Sequence, residues 1–459
     1  MRPSEFLRPF ISILLLACFK RSGLHIHGVK IPVDCVPRRG DPAALPVDLS
    51  LASSNQFAYL VHINIGGQDF PMLLDTGSAD LWVVSTDCTE QDCQGVTKYS
   101  KSSSFGSIDA SFHLSYLMGS VTGIIGTDTV VVGPYEVSSQ ILALANHTAG
   151  LSLAGTGNSG ILGLSFPVEA SIPETLGRTF LENIMASYNE TDRYFAIKLG
   201  RDQDNSSFTI GELDPDFANS TSEFAYTSVT PLSNSVYNYW KLPLQGFTIN
   251  HTSFPLSDSR VSGGHSSVAV LDTGTTLMLG PSQDVDRFWQ SVGGAKKTDS
   301  GWQVRCNRGV IIGVILGEGN STKEYVIDPA DISWEQGDHE GEWCMGGVQA
   351  NDGVISGDWL LGDTFLRNVY ALHHAAASGQ PPRIGLLGLT DPDASLAAFR
   401  QQRGDDPNPP AKVLTNARQS QDLGGGGICG IAAAGGFVFG AILTLLLCFR
   451  PCCGKSSKY

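Results

Sequence analysis

The sequence has little positive charge. Lysines and arginines number 30 against 45 aspartates and glutamates, so the 459-residue chain carries a formal net charge of -15 at pH 7. Proteins that bind nucleic acid need a basic surface to neutralise phosphates, and we therefore expect no nucleic-acid partner. An acidic balance also fits a protein that works at low pH, where carboxylates become neutral.

Charged residues of both signs are sparse, at 16% of the chain, whereas hydrophobic residues make up 42%. This composition is typical of a folded globular protein and argues against a disordered chain. The length exceeds that of one ordinary compact core. We therefore expect two lobes or domains with appended segments.

Helical periodicity is scarce between residues 56 and 389. Residues 173–188 and 282–292 are the better candidates for helices, the second with Ser282 as a candidate N-cap. Elsewhere apolar residues alternate with others, as at Tyr59, Val61 and Ile63, which is the pattern of a half-buried strand. The sequence therefore predicts an all-β protein.

An internal repeat is the most informative feature. Residues 74–78 read Leu-Asp-Thr-Gly-Ser, and residues 271–275 read Leu-Asp-Thr-Gly-Thr, 197 positions later. Residues 161–163, Ile-Leu-Gly, recur as Leu-Leu-Gly at 360–362, 199 positions later. Two motifs at nearly one offset indicate a duplicated lobe. We expect two similar β-lobes over residues 56–395, with a cleft between them.

Each repeat offers one aspartate at the end of an apolar strand, Asp75 in the first and Asp272 in the second. A carboxylate is costly to bury alone, so each needs local partners. If lobe symmetry brings the two together, about 3 Å apart, they share one proton. The ionised member can then take a proton from a bound water, and the protonated member can polarise a carbonyl. This chemistry needs no metal or cofactor, and we expect none.

The residues after each aspartate supply the partners. Thr and Gly give a tight turn with hydrogen-bond donors, and the next hydroxyl can steady a carboxylate oxygen. The supporting residues are Thr76, Gly77 and Ser78 in the first repeat, and Thr273, Gly274 and Thr275 in the second.

Residues 56–389 resemble the pepsin-like aspartic peptidases. The likeness lies in residues 70–83 and 270–276 around the two aspartates, and in residues 361–370 near the end of the domain. The resemblance implies a bilobal pepsin-like fold, aspartic endopeptidase activity and an extended peptide or protein as substrate. We expect the protein to be a monomer.

Residues 114–120 resemble the hairpin flap that closes over substrate in this family. The resemblance makes Tyr116 the flap tyrosine, with Trp82 as its hydrogen-bond partner. Where the family usually has glycine after this tyrosine, the chain has Leu117, so we expect a bulkier and more apolar tip. The flap and substrate-binding residues implied by the resemblance are Tyr116, Trp82, Leu117, Met118, Gly119, Ile161 and Val270. Such walls favour apolar residues beside the cut.

The cysteines fit a secreted protein. Cys88 and Cys93 can close a small loop and Cys306 and Cys344 a larger one, and the resemblance implies both pairs as disulfides. Cys35 is left over.

His373 and His374 stand where the family usually has an aromatic and an acidic residue. We expect no metal site there, because no matching cluster of ligands is evident.

Both ends of the chain have targeting patterns. An apolar run follows Arg2 and Arg8, which predicts a signal peptide over residues 1–23. Residues 24–55, with the dibasic pair Arg38-Arg39, are interpreted as a short pro-segment. Residues 396–427, rich in Pro and Gly, are interpreted as a flexible stalk. Residues 428–449 are apolar and long enough to span a bilayer, and the basic tail 450–459 should stay cytoplasmic.

Six glycosylation sequons lie between these two segments, at Asn146, Asn189, Asn205, Asn219, Asn250 and Asn320. Together these features predict a single-pass membrane protein of the secretory pathway, with its catalytic domain luminal or extracellular, at the cell surface or in a vacuole-like compartment.

Two alternatives stay open from the sequence. One is a precursor-processing protease selective for basic residues, similar to the yapsins. The other is a non-catalytic binding protein on the same fold. Intact aspartates in both repeats favour catalysis.

Overall fold

The computed structural model describes residues 28–37, 57–201, 206–261, 266–334 and 342–406. The predicted signal peptide, membrane span and tail, the sequon at Asn205 and the predicted stalk from residue 407 lie outside these residues. In the described part of the chain, no helix is long and apolar enough to cross a membrane.

Strands dominate the structure, which confirms the all-β prediction. In chain order they are β1 (Val29–Ile31), β2 (Val33–Pro37), β3 (Phe57–Ile65), β4 (Gln68–Asp75), β5 (Leu81–Val84), β6 (Gly106–Ser115), β7 (Ser120–Val132), β8 (Tyr135–Ala149), β9 (Gly160–Gly163), β10 (Tyr194–Lys198), β11 (Ser207–Ile210), β12 (Ala225–Ser228), β13 (Lys241–Ile249), β14 (Thr252–Phe254), β15 (Ser267–Leu271), β16 (Met278–Gly280), β17 (Ala295–Thr298), β18 (Gly301–Arg305), β19 (Ile312–Leu316), β20 (Lys323–Ile327), β21 (Ser333–Trp334), β22 (Trp343–Gly346), β23 (Val348–Ala350), β24 (Trp359–Leu361), β25 (Val369–His374) and β26 (Arg383–Gly388).

Each lobe is built on a large sheet. The first lobe has the strand order β2-β3-β4-β9-β5-β8-β7-β6, and the second β20-β19-β13-β15-β24-β16-β23, with β14 beside β13. A six-stranded sheet, β1-β11-β10-β25-β26-β12, takes strands from both halves of the sequence, and a four-stranded sheet, β17-β18-β22-β21, completes the second lobe.

The α-helices are short: α1 (Leu153–Thr156), α2 (Phe180–Met185), α3 (Ser282–Val292), α4 (Pro329–Ile332), α5 (Asp363–Leu366) and α6 (Pro392–Arg403). Helix α3 has the predicted bounds, although Pro281 rather than Ser282 is its N-cap. The helix predicted over 173–188 is reduced to α2, because Thr179 and Glu182 form a capping box that fixes its start.

The sequence repeat corresponds to a structural repeat. Strand β9 pairs parallel with β4 and antiparallel with β5, and β24 pairs in the same way with β15 and β16. The glycines that end the second motif allow close backbone approach. A methyl group on Gly163 would lie 2.6 Å from the carbonyl carbon of Ala79, and one on Gly362 would lie 2.0 Å from the carbonyl oxygen of Thr275.

The folded part extends past both predicted domain boundaries. Residues 28–37, within the predicted pro-segment, form β1 against β11 and β2 against β3. At the other end, α6 runs through the predicted boundary at residue 395. Phe399 on this helix is buried, and Arg403 donates a hydrogen bond to the carbonyl of Ser333 at 2.6 Å. Residues 396–406 are therefore part of the folded domain, which corrects the predicted start of the stalk.

The described sequon asparagines are all exposed, namely Asn146, Asn189, Asn219, Asn250 and Asn320.

His373, on β25, is buried, and its ring stacks on Phe195 with centroids 4.5 Å apart. It occupies the aromatic position that the family resemblance describes.

Candidate active site

The two aspartates of the repeat lie side by side where the lobes meet. Asp75 ends β4, and Asp272 directly follows β15. Both aspartates lie at equivalent positions of the repeat. Asp75 pairs with Gly163 of β9, and Leu271, the residue before Asp272, pairs with Leu361 of β24.

The Asp75 carboxylate is held by its own turn. The Gly77 amide donates to Oδ1 at 2.8 Å, and the Ser78 hydroxyl donates to Oδ2 at 2.5 Å. Gly77 also packs closely against the other lobe, since a methyl group on Gly77 would lie 2.5 Å from Oδ1 of Asp272. Only glycine leaves room for the second carboxylate.

The Asp272 carboxylate has the same arrangement. The Gly274 amide donates to Oδ1 at 2.9 Å, and the Thr275 hydroxyl donates to Oδ2 at 2.7 Å. A methyl group on Gly274 would lie 2.5 Å from Oδ1 of Asp75. Each turn therefore binds its own aspartate and makes space for that of the other lobe.

Two threonine hydroxyls tie the lobes together beneath the carboxylates. The Thr76 amide donates to the Thr273 hydroxyl, and the Thr273 amide donates to the Thr76 hydroxyl, both at 3.0 Å. In turn, the Thr76 hydroxyl donates to the Leu271 carbonyl at 2.9 Å and the Thr273 hydroxyl to the Leu74 carbonyl at 2.7 Å. Both threonines are fully or nearly fully buried, so these four bonds fix the spacing of the aspartates.

Burial and mutual repulsion make the pair hold a proton. Burial, and then the charge of Asp272, raise the pKa of Asp75 to about 7. Burial likewise raises the pKa of Asp272. Two coupled carboxylates titrate as a unit, and the resulting values belong to the pair. Between the two titrations the pair carries one proton and one charge, which is the state that acid–base chemistry on a water requires.

The hairpin predicted to be the flap joins β6 to β7 and lines the cleft that contains the two aspartates. The Trp82 indole donates to the Tyr116 hydroxyl at 2.7 Å, and the Tyr116 amide donates to the Gly119 carbonyl at 3.0 Å to close the hairpin. Gly119 has a positive φ of 89°, and a methyl group on it would lie 2.3 Å from the Ala149 carbonyl oxygen. Leu117, at the tip, is 52% exposed.

A cleft of about 900 Å³ runs between the lobes and contains both aspartates. Five of the predicted flap and pocket residues line it: Tyr116, Leu117, Met118, Ile161 and Val270. Trp82 is buried behind the flap, and Gly119 shapes the turn without lining the cleft. Apolar side chains therefore form part of the cleft walls, where they suit apolar side chains of an extended peptide.

Sequence reasoning missed three contributors to the site. The bonds between the lobes made by Thr76 and Thr273 could have been anticipated from the repeat, because it places equivalent hydroxyls face to face. Glu169 and Tyr239 also line the cleft, and the Tyr239 hydroxyl donates to Glu169 Oε2 at 2.7 Å. Neither lies in a repeated motif, so no sequence signal marked them.

The cysteines pair as the resemblance implies. Disulfides join Cys88 to Cys93 and Cys306 to Cys344. The first lies in the lobe of Asp75, between β5 and β6, and the second joins β22 to the turn after β18. Cys35 is buried on β2.

The fold and the paired carboxylates define an aspartic peptidase, and comparison with known proteins agrees. The eukaryotic aspartyl protease family model matches residues 58–380. Chymosin from Callithrix jacchus is 28% identical over 326 residues, covering 70% of this chain and 79% of that protein. Major aspartyl peptidase 1 from Cryptococcus neoformans is 29% identical over 360 residues, 74% and 70% of the two chains. Pepsin A from Sus scrofa is 28% identical over 344 residues, 73% and 83%.

The chain belongs to the eukaryotic aspartyl protease family, which confirms the resemblance. It is an aspartic endopeptidase, and the non-catalytic alternative is set aside.

Proposed function

We propose that this endopeptidase hydrolyses peptide bonds with a water activated between Asp75 and Asp272. The symmetric arrangement of the two carboxylates carries the proposal. Each accepts a hydrogen bond from its own turn, and each lies against the glycine of the other turn. The ionised carboxylate takes a proton from the water as it attacks the scissile carbonyl. The protonated carboxylate donates a hydrogen bond to the carbonyl oxygen and later supplies a proton to the leaving amine.

The flap and the apolar walls position the substrate in this scheme. An extended peptide enters the cleft with its main chain beneath the Tyr116 hairpin. Ile161 and Val270 contact side chains beside the cut, and Leu117 with Met118 covers them from the flap. Exclusion of water by this cover strengthens the electrostatic interactions at the aspartates.

The shared proton predicts a bell-shaped dependence of kcat/KM on pH. Below the lower titration both carboxylates are protonated and no base remains. Above the upper one, near pH 7 from the raised pKa of Asp75, both are ionised and no acid remains. Activity should therefore be greatest in acid. Because the enzyme is an aspartic peptidase, pepstatin should also block it. Cleavage of a quenched peptide from pH 2 to 9 measures this, and undiminished activity at pH 9 would refute the shared proton.

We propose further that the enzyme is a glycosylated membrane protein of the secretory pathway. The support is in the sequence: the apolar segment 428–449, the basic tail 450–459 and the sequons, of which the described ones are exposed. Fractionation of cells expressing the full chain or a chain ending at residue 427 tests the anchor. Only the full chain should sediment with membranes, and equal release of both would exclude an anchor.

A further inference from the structure

The charges on the cleft walls are of one sign. Among the described residues that line the cleft, five are acidic and none is lysine, arginine or histidine. The acidic residues are Asp75, Asp272, Asp363, Asp352 and Glu169. With a net charge of -15 on the chain, this lining favours the approach of cationic peptides.

Four of these acids are already engaged. Asp75 and Asp272 form the catalytic pair. Asp363 is fully buried beneath it, and burial raises its pKa well above the usual range. Asp352 accepts the Ser282 amide at 2.9 Å and pairs with Arg260 at 3.4 Å.

Glu169 is engaged differently, because its only side-chain partner among the described residues is the neutral Tyr239. It ends a short 3-10 helix, Pro167–Glu169, and is partly exposed to the cleft. The adjacent Trp240 fixes the position of the tyrosine, since it is buried and its indole donates to the Leu164 carbonyl at 2.8 Å. Lys241, on β13, makes no ion pair with Glu169 among the described residues and does not line the cleft. It lies close enough for the charge of Glu169 to raise its pKa, although burial lowers that pKa more. The carboxylate is thus oriented by Tyr239, lines the cleft and has no cation bound to it there.

Glu169 lines the same cleft as the catalytic pair. The charges of Glu169, Asp272 and Asp75 all act on the Tyr239 phenol and, after burial, help to raise its pKa. Glu169 and the catalytic pair therefore act on one phenol within a single cleft. An extended chain advances about 3.3 Å per residue, so two residues of bound peptide reach roughly 7 Å from the scissile bond.

We propose that Glu169 is a specificity residue that selects substrates with lysine or arginine within two residues of the scissile bond. The inference rests on the proposed function, and it gives a structural basis to the preference for basic residues that the sequence left open. The ammonium or guanidinium pairs with the carboxylate that Tyr239 orients, while the neighbouring subsites keep their apolar preference.

A set of matched peptides tests the proposal. One parent peptide has apolar residues around a single cut, and lysine replaces norleucine at each of the two positions on either side of it. We expect the wild-type enzyme to prefer lysine at one of these positions by about fivefold in kcat/KM, the upper range for a partly exposed ion pair. In Glu169→Gln, which keeps the shape and the acceptor for Tyr239, the ratio should fall to about one.

Two further variants sharpen the test. Glu174→Gln removes the same charge from an exposed site outside the cleft lining and should keep the lysine preference. Glu169→Lys should reverse the preference, so that glutamate is favoured over lysine at that position. An unchanged ratio in Glu169→Gln, or an equal loss in Glu174→Gln, would overturn the proposal. Failure of the proposed function looks different: Asp75→Asn would then cut the parent peptide as fast as the wild type.

Discussion

Single residues set the chemistry of this enzyme through their immediate neighbours. Asp75 and Asp272 would each be costly to bury, and each is stabilised by an amide two residues on and a hydroxyl three residues on. This local support was predictable from the sequence, because it follows from the Asp-Thr-Gly turn. The role of Glu169 was not, because a lone glutamate becomes informative only when its surroundings are known.

His373 is a buried titratable residue outside the cleft. The residue is 1% exposed, and its ring stacks on Phe195 and meets Trp240 edge-on, with the latter centroids 5.1 Å apart. Neither ring nitrogen has a hydrogen-bond partner within the described residues. Burial lowers its pKa from 6.5 to about 3. Between these values the unfolded chain binds a proton that the folded protein excludes, so stability is lost as pH falls from 6.5 towards 3.

We therefore expect His373→Phe to make the protein more resistant to acid. The free energy of unfolding should fall less between pH 6.5 and 3.5 than in the wild type, by on the order of a few kcal/mol. Denaturant titrations at several pH values measure the difference. His113→Phe, at an exposed position on β6, serves as the control and should keep the wild-type slope. Equal slopes for all three proteins would rule out His373 as a source of acid sensitivity.

Elements were predicted best where their pattern was long or repeated. The alternation along β3 and the bounds of α3 were readable from the sequence. Helix α2 was predicted too long, because side-chain capping at Thr179 decides its start. Helix α6 was missed, because its hydrophobic contribution rests largely on Phe399, which packs against the second lobe. Tertiary contacts, rather than periodicity, define such short elements.

On the scale of the whole molecule, the duplication of the lobe was predictable from the sequence. The six-stranded sheet that joins the two lobes was not. Two motifs at matching offsets indicated two facing lobes, and the equivalent pairing of β9 and β24 accounts for those offsets. The six-stranded sheet could not be foreseen, because β1, β10 and β25 are far apart in sequence. The exchange of hydrogen bonds between Thr76 and Thr273 follows from the repeat instead, and it makes the catalytic pair a property of both lobes.

We propose that Asp75 and Asp272 act as one catalytic unit. The most direct test is the kcat for peptide hydrolysis by Asp75→Asn, Asp272→Asn and the double variant, with the exposed Asp109→Asn as a control. Each single change should lower kcat by at least about a thousandfold, and the double change should lower it little further, because neither carboxylate works alone. Single variants that keep more than about a tenth of wild-type activity, or losses that multiply in the double variant, would contradict the account.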